Sequence, residues 1–171
     1  LDSFVRQTNQ NFVIYIGNDN SPNDIYSIVQ KYEDKLNIVY EKFENNLGSH
    51  SLTKQWERCI EMSSEEWVWL FSDDDIAASY CVESFYNKKN KTGMFYKFNT
   101  KIIDKNNNVL NSRYDSKNYY KNSLSSQLFI QNRLASNGFR SFAVEYIFHR
   151  ELYEKYRFID FPLAWASDDA T

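Results

Sequence analysis

Three stations of carboxylates follow three strand-like stretches of this chain: Asp19, the run Asp73-Asp74-Asp75, and Asp168 with Asp169. In an open α/β sheet, ligands collect at the carboxyl ends of strands, so acids at those points are placed for chemistry. Asp19 could accept hydrogen bonds from a base or a ribose. Its plainer use is a turn in which the side chain binds nearby backbone. Asp74 could ligate a hard divalent cation, which takes oxygen ligands and keeps waters while bridging two phosphates. Against that, acids commonly end a strand at the surface, and Asp75 stands where it could cap the next helix. Asp168 and Asp169 offer a general base for a hydroxyl nucleophile, or simply a solvated loop.

Other residue types add little chemistry. His50 and His149 are too far apart in sequence to suggest a metal pair, and a lone histidine is most often structural. Gly48, after Asn45-Asn46, marks a turn or a close backbone approach. Neither GxGxxG nor GxxxxGK(S/T) occurs, which argues against a Rossmann dehydrogenase and a P-loop NTPase. Cys59 and Cys81 fall on helical patterns and read as small buried hydrophobes of a reducing compartment, not as a disulfide framework.

The elements that must hold these acids can be read from periodicity. Residues 1–8 put Leu1, Phe4 and Val5 on one helical face. Residues 12–16 read as a strand entering the turn 17–24, where Ser21, Pro22 and Asp24 resemble a helix cap, first turn and N3 acid. A helix with Ile25, Ile28, Val29 and Tyr32 on one face follows, then a short strand at 36–40. Leu52, Trp56, Cys59 and Ile60 share a face of the next helix. The run 67–71, Trp-Val-Trp-Leu-Phe, reads as a strand covered on both faces. Strand, helix, strand, helix, strand predicts right-handed crossovers and three parallel strands, with Asp19 and Asp74 opening into one crevice. Beyond Asp75 a helix is expected, with Ile76, Tyr80, Cys81 and Phe85 facing in. Strand pattern returns at 95–98 and 101–103, with a turn into Val109-Leu110. Residues 111–123 are expected to be a loop over a cleft, Phe129-Ile130 has no assignable type, 142–148 reads as strand and 150–156 as helix.

Composition bounds the rest. With 171 residues, 42% of them hydrophobic, the chain supports one sizeable core and one domain. Lys plus Arg number 20 against 23 Asp plus Glu, a net charge of −3, which argues against bulk nucleic-acid binding and leaves room only for a local basic groove. The 13 Tyr, 13 Phe and 4 Trp suit clefts that use aromatic faces as well as a core. No apolar run reaches the ~18 residues of a membrane span, and no signal peptide is visible.

In this order and spacing, the run 14–21 (IYIGNDNS), the turn Asn46-Leu47-Gly48, the run 67–75 (WVWLFSDDD) and Ser167-Asp168-Asp169-Ala170 resemble the family 2 glycosyltransferases of the GT-A fold. The resemblance implies an α/β fold with a mostly parallel central sheet flanked by helices, as a single domain. Residues 1–91 would form its nucleotide-binding part and 92–171 its acceptor side. It places Asp19, Ser21, Asp73 and Asp74 around the nucleotide: Asp19 at the base, Asp73 at the ribose, Asp74 at the Mg²⁺ or Mn²⁺ bound to the diphosphate. Ser72 replaces the first acid of the family's Asp-x-Asp motif, so Asp75 stays a second candidate metal ligand. A late Glu-Asp pair of the family resembles Asp168-Asp169, with Asp169 as the base. The family's opening strand, ending in Pro-x-Tyr-Asn, and its region beyond the Glu-Asp pair are not found. The chain is therefore expected to be a catalytic domain lacking both ends.

The activity so implied is inverting transfer of a sugar from a nucleoside diphosphate sugar, UDP foremost, to a hydroxyl of a glycan or lipid-linked acceptor. The expected setting is cytoplasmic, with peripheral association at the inner membrane face and no nucleic-acid partner. A metal-dependent nucleotidyltransferase, and a catalytically silent sugar- or nucleotide-binding domain, are the competing readings.

Overall fold

Ile14–Asn18 form β1 and Ile38–Lys42 form β2, parallel to each other, with Ile14 opposite Ile38 and Asn18 opposite Lys42. Both strands start two residues later than their apolar runs. The ladder is set by backbone pairing, and it keeps Gly17 and Asn18 in register after the branched side chains end. The computed structural model describes residues 1–89, 93–110, 125–135, 141–164 and 167. The loop expected at 111–123 lies outside the described residues.

The remaining strands form a separate sheet of β3 (Trp67–Trp69), β4 (Phe95–Lys97) and β5 (Tyr146–His149), in the order β3-β5-β4. Both pairings are antiparallel, Trp67 facing His149 and Phe95 facing Phe148. The expectation of one mostly parallel central sheet, with 67–71 as its third parallel strand, is therefore corrected: among the described residues only β1 and β2 pair in parallel. The returning strand β5 offers both edges and takes β3 on one and β4 on the other, and Leu70-Phe71 leave the ladder. The α/β class stands. Ile103 and Val109 form a single antiparallel bridge around the turn at 104–108, where Asp104 accepts from the amides of Asn106 and Asn108.

Side chains, not shared strands, tie the two sheets together. The Phe4 ring lies 5.7 Å from Phe12, ahead of β1, and 4.9 Å from Phe71, just beyond β3. Phe71 in turn meets Trp69 edge to face at 5.2 Å, the arrangement that aromatic quadrupoles favour. The Trp69 indole N–H donates to Val144 O at 2.7 Å, tying β3 to the turn that leads into β5.

The helices are short. In α1 (Asp2–Val5) Ser3 is buried, as is Gln7 just beyond the helix, rather than Leu1 and Val5. The Gln7 amide donates to Ala78 O and its oxygen accepts from Val82 N–H. Thr8 N–H donates to Ser79 O at 2.8 Å. This docking explains why no helix begins after Asp75: the carbonyls of residues 78–79 serve the N-terminal segment, and α4 starts only at Cys81 (Cys81–Lys88). Ile76 and Tyr80 are consequently exposed, while Phe85 is buried as expected. The second helix, α2 (Tyr26–Val29), begins later than the Ser21-Pro22 signal. Ile25 stands at its N-cap, Asp24 one residue earlier accepts from Ser27 N–H at 3.1 Å, and of the four-residue apolar face only Val29 is buried.

A serine N-cap opens α3 (Leu52–Glu61), Ser51 accepting from Lys54 N–H, and Ile60 is buried with Thr53 and Gln55. Phe129-Ile130, which the sequence leaves untyped, lie in α5 (Ser126–Leu134), capped by Ser125. The helix expected at 150–156 is α6 (Arg150–Tyr156). Its first residue anchors it to the end of α3, donating to Ile60 O, to Ser63 Oγ and, through Nε, to Glu65 O at 2.8 Å.

Candidate functional site

The β1 strand ends on Asn18, and the side chain of that residue shapes the turn that follows. Asn18 is buried, its amide donates to the Tyr40 hydroxyl at 2.8 Å, and its oxygen accepts from Ser21 N–H at 2.8 Å. Asn20 takes a left-handed φ of 55°, which asparagine tolerates better than most residues, and donates to Glu44 O. Asp19 is thereby turned toward the loop after β2. Its Oδ1 accepts from Leu47 N–H at 2.7 Å and its Oδ2 from Gly48 N–H at 2.8 Å. A β-carbon on Gly48 would sit 2.7 Å from Asp19 Oδ2, so the glycine is there for close approach. The turn role and the carboxylate's position are one and the same: Asp19 binds backbone, but of a loop 28 residues away.

Arg58 completes this corner. Its Nη2 pairs with Asp19 Oδ1 and donates to Asn45 O at 2.9 Å, while its Nε donates to Gln55. The guanidinium carbon lies 3.9 Å from the centroid of the Phe43 ring, a cation–π stack. Gln55, buried, reaches back to Gly17 O at 3.2 Å. The Arg58 and Asp19 side chains keep 20% and 24% of their surface exposed, so the corner is open to a ligand. Sequence reasoning missed Arg58, Phe43 and Gln55. No local signal marked Arg58, which lies off the Leu52, Trp56, Cys59 and Ile60 face of its helix.

Asp73 and Asp74 form an exposed turn after β3, and Asp75 N–H closes it on Ser72 O at 3.4 Å. Asp75 is half-buried and caps no helix. Burial, and then the charges of Asp74 and Asp73, push its carboxyl above the usual range. No cluster of three or more His, Cys, Asp or Glu side chains is set to hold a metal among the described residues. The triplet nevertheless fits a hard cation, because it offers only oxygen donors and leaves coordination positions for a diphosphate and water. Asp168 and Asp169 lie outside the described residues.

The remaining sequence candidates are structural. His149 accepts from Glu151 N–H through Nδ1, and its Nε2 lies 3.2 Å from Glu66. With Glu66, Trp67, Tyr86, Lys89 and Met94 it lines a cavity of about 610 Å³ at the amino end of β3, the end opposite Asp73–Asp75. Cys59 and Cys81 are free thiols, partly rather than fully buried, and that burial raises the pKa of each. No helix among the described residues is long and apolar enough to cross a membrane.

Comparison with curated proteins gives no match. Comparison with protein families gives one over residues 1–157, from α1 through α6, described as Glycosyl transferase family 2. That family carries the GT-A fold, transfers glycosyl groups from nucleotide-sugar donors to acceptors, and often uses a divalent metal. With more than nine-tenths of its length matched, this chain belongs to glycosyltransferase family 2.

Proposed function

We propose that the chain catalyses inverting transfer of a sugar from UDP-sugar to a hydroxyl of a glycan or lipid-linked acceptor, with Mg²⁺ or Mn²⁺ as cofactor. In this reading Asp19 and the Ser21 turn meet the base, Asp73 meets the ribose, and Asp74 holds the cation, with Asp75 as the second candidate ligand. When bound, the cation supplies positive charge beside the departing diphosphate. Asp169 takes the acceptor proton as the hydroxyl oxygen bonds to the anomeric carbon. The bond from that carbon to the diphosphate oxygen breaks with its electron pair going to the leaving group. Asp168 orients the acceptor or the surrounding loop. Membrane association is peripheral.

The observation that carries this reading is the acidic triplet at the carboxyl end of β3, with two carboxylates exposed and a third whose proton affinity is raised by burial and then by the charges of those two. Such crowding is costly for free carboxylates and is relieved by a divalent cation. Calorimetric titration of the full-length protein with UDP and Mn²⁺ tests it. Asp74→Asn is expected to weaken binding much more than Asp75→Asn, and wild-type binding is expected to require the metal. Equal losses would place the ligand wrongly, and metal-independent binding would remove the cofactor from the proposal.

A further inference from the structure

Glu145 is a buried carboxylate, 3% exposed, that the proposed reaction does not use. Its Oε2 pairs with Lys97 at the end of β4 and accepts from Phe142 N–H at 3.4 Å. Its Oε1 accepts from the Thr100 hydroxyl at 2.5 Å. The backbone adds two ties: Glu145 N–H donates to Phe142 O at 2.9 Å, and Glu145 O accepts from Phe98 N–H at 2.6 Å. Burying both charges of such a pair costs desolvation that apolar residues would not incur, so stability alone does not call for it. What it does supply is geometry, since these bonds clamp the turn 142–145 to the end of β4.

The clamp stands at the end of β3 that leads into the acid triplet. Trp69 and Ile147 are the last pair of the β3–β5 ladder, and Glu145 lies two residues beyond Ile147 on the Ser72 side. The Trp69 ring stacks on Phe98, with 5.5 Å between centroids and 18° between planes. Its indole N–H donates to Val144 O at 2.7 Å. Glu145 holds both partners, Phe98 through its amide and Val144 through the closed turn. We infer that Glu145 is a positioning residue for the acid triplet: its clamp fixes Trp69, and Trp69 fixes where the chain turns into Asp73–Asp75. This rests on the proposal that Asp74 holds the cation, and adds the residue that sets where that carboxylate stands. The Asp73 and Asp74 side chains make no hydrogen bond or ion pair among the described residues, so the backbone carrying them decides their placement. Groups that hold metal ligands in place are worth about 10–100-fold in metal affinity.

The test reads the Mn²⁺ concentration that half-saturates UDP binding, by calorimetry on the full-length protein well below each variant's melting temperature. Glu145→Gln keeps the side-chain shape but removes the charge facing Lys97, and is expected to raise that concentration about 10-fold. Trp69→Phe keeps a ring on Phe98 and removes only the bond to Val144, and is expected to raise it about three-fold. In both variants saturating Mn²⁺ should restore wild-type UDP affinity. In the metal-free proteins, amide hydrogen exchange at residues 72–75 should quicken while that of α3 keeps its wild-type rates. A merely structural Glu145 would lower the melting temperature and the fraction able to bind, and leave the Mn²⁺ requirement unmoved. That result for Glu145→Gln, or for Trp69→Phe should Glu145→Gln fail to fold, overturns the inference. Metal-independent UDP binding by wild type would instead remove the cation from Asp74, and unchanged exchange at 72–75 would then overturn the hold of Glu145 on the triplet as well.

Discussion

Replacing Gly48 by alanine probes the Asp19 corner with a single methyl group. No glycine among the described residues has a positive φ, so the new residue meets no backbone penalty. The added carbon would stand 2.7 Å from Asp19 Oδ2, where carbon–oxygen contacts settle at about 3.3 Å. The carboxylate must therefore retreat by about 0.6 Å, away from Gly48 N–H at 2.8 Å and out of line with Leu47 N–H at 2.7 Å. Hydrogen bonds to a charged group are worth ~1.5–3 kcal/mol, and weakening one or two of them sets the cost. The lower entropy of the unfolded alanine chain returns ~0.4–1 kcal/mol. A net loss of ~1–2 kcal/mol is expected, seen as a melting point lower by ~2–8 °C for a domain of this length. In an Asp19→Ala background the clashing oxygen is absent, so Gly48→Ala should cost almost nothing there. That non-additivity is the signature of direct contact. A neutral Gly48→Ala, or the same cost in both backgrounds by urea denaturation, would refute the account of why glycine stands at 48.

Gly17→Ala should be worse tolerated, since its β-carbon would lie 2.5 Å from Cys59 Sγ and 2.7 Å from Phe43 Cε2. A loss of ~1–3 kcal/mol in urea melts, only partly relieved by Cys59→Ala, is expected. Tyr153 is 4% exposed, and its phenol is pushed up to about 12, first by burial and then by its bond to Glu61. Because the folded value is the raised one, this stabilisation is whole below the ordinary tyrosine value of about 10 and is lost as pH rises through about 12. Alkaline melts should therefore show a decline on the order of 2 kcal/mol over that window, missing in Tyr153→Phe. Asp169→Asn should cut steady-state transfer by at least ~10² while leaving UDP affinity nearly intact; near-wild-type turnover would move the base to Asp168 or beyond this chain.

How far the sequence could be read depended on whether the determining contact was local. Helices α3 and α6 follow from short-range periodicity, and both stand where their residues put them. The start of α4 does not, because Gln7 and Thr8, some 70 residues earlier, claim the carbonyls at 78 and 79. The direction of β3 was misread for a similar reason. An apolar run such as Trp67-Val68-Trp69 fits a parallel or an antiparallel neighbour equally well, and the partner that decides, Tyr146–His149, stands nearly 80 residues on. At the site, Asp19 and Asp73–Asp75 were visible as acids after apolar runs. Arg58 was not, since a cation within an amphipathic helix reads as solvent-facing until its partner is known.

The two acid stations differ in ways their proposed tasks demand. Asp19 is pinned by two backbone amides and a guanidinium, so its free lone pairs have a fixed direction. Fixed direction suits a rigid planar ligand, because a base reads orientation and a carboxylate ordered in advance loses little entropy on binding it. Asp73 and Asp74 are exposed and make no hydrogen bond or ion pair among the described residues. That state suits a cation that arrives and leaves with a diphosphate: ligand exchange needs carboxylates whose bonds to the protein do not first have to be broken. Asp75 lies between these extremes, half-buried and raised in proton affinity by that burial and then by its two neighbours. A cation on Asp74 would lower the field at Asp75 and favour its ionised form. Proton release on Mn²⁺ binding should therefore be larger in wild type than in Asp75→Asn. Equal release from both proteins, read by titrating in buffers of different ionisation enthalpy, would break the proposed link between the two carboxylates.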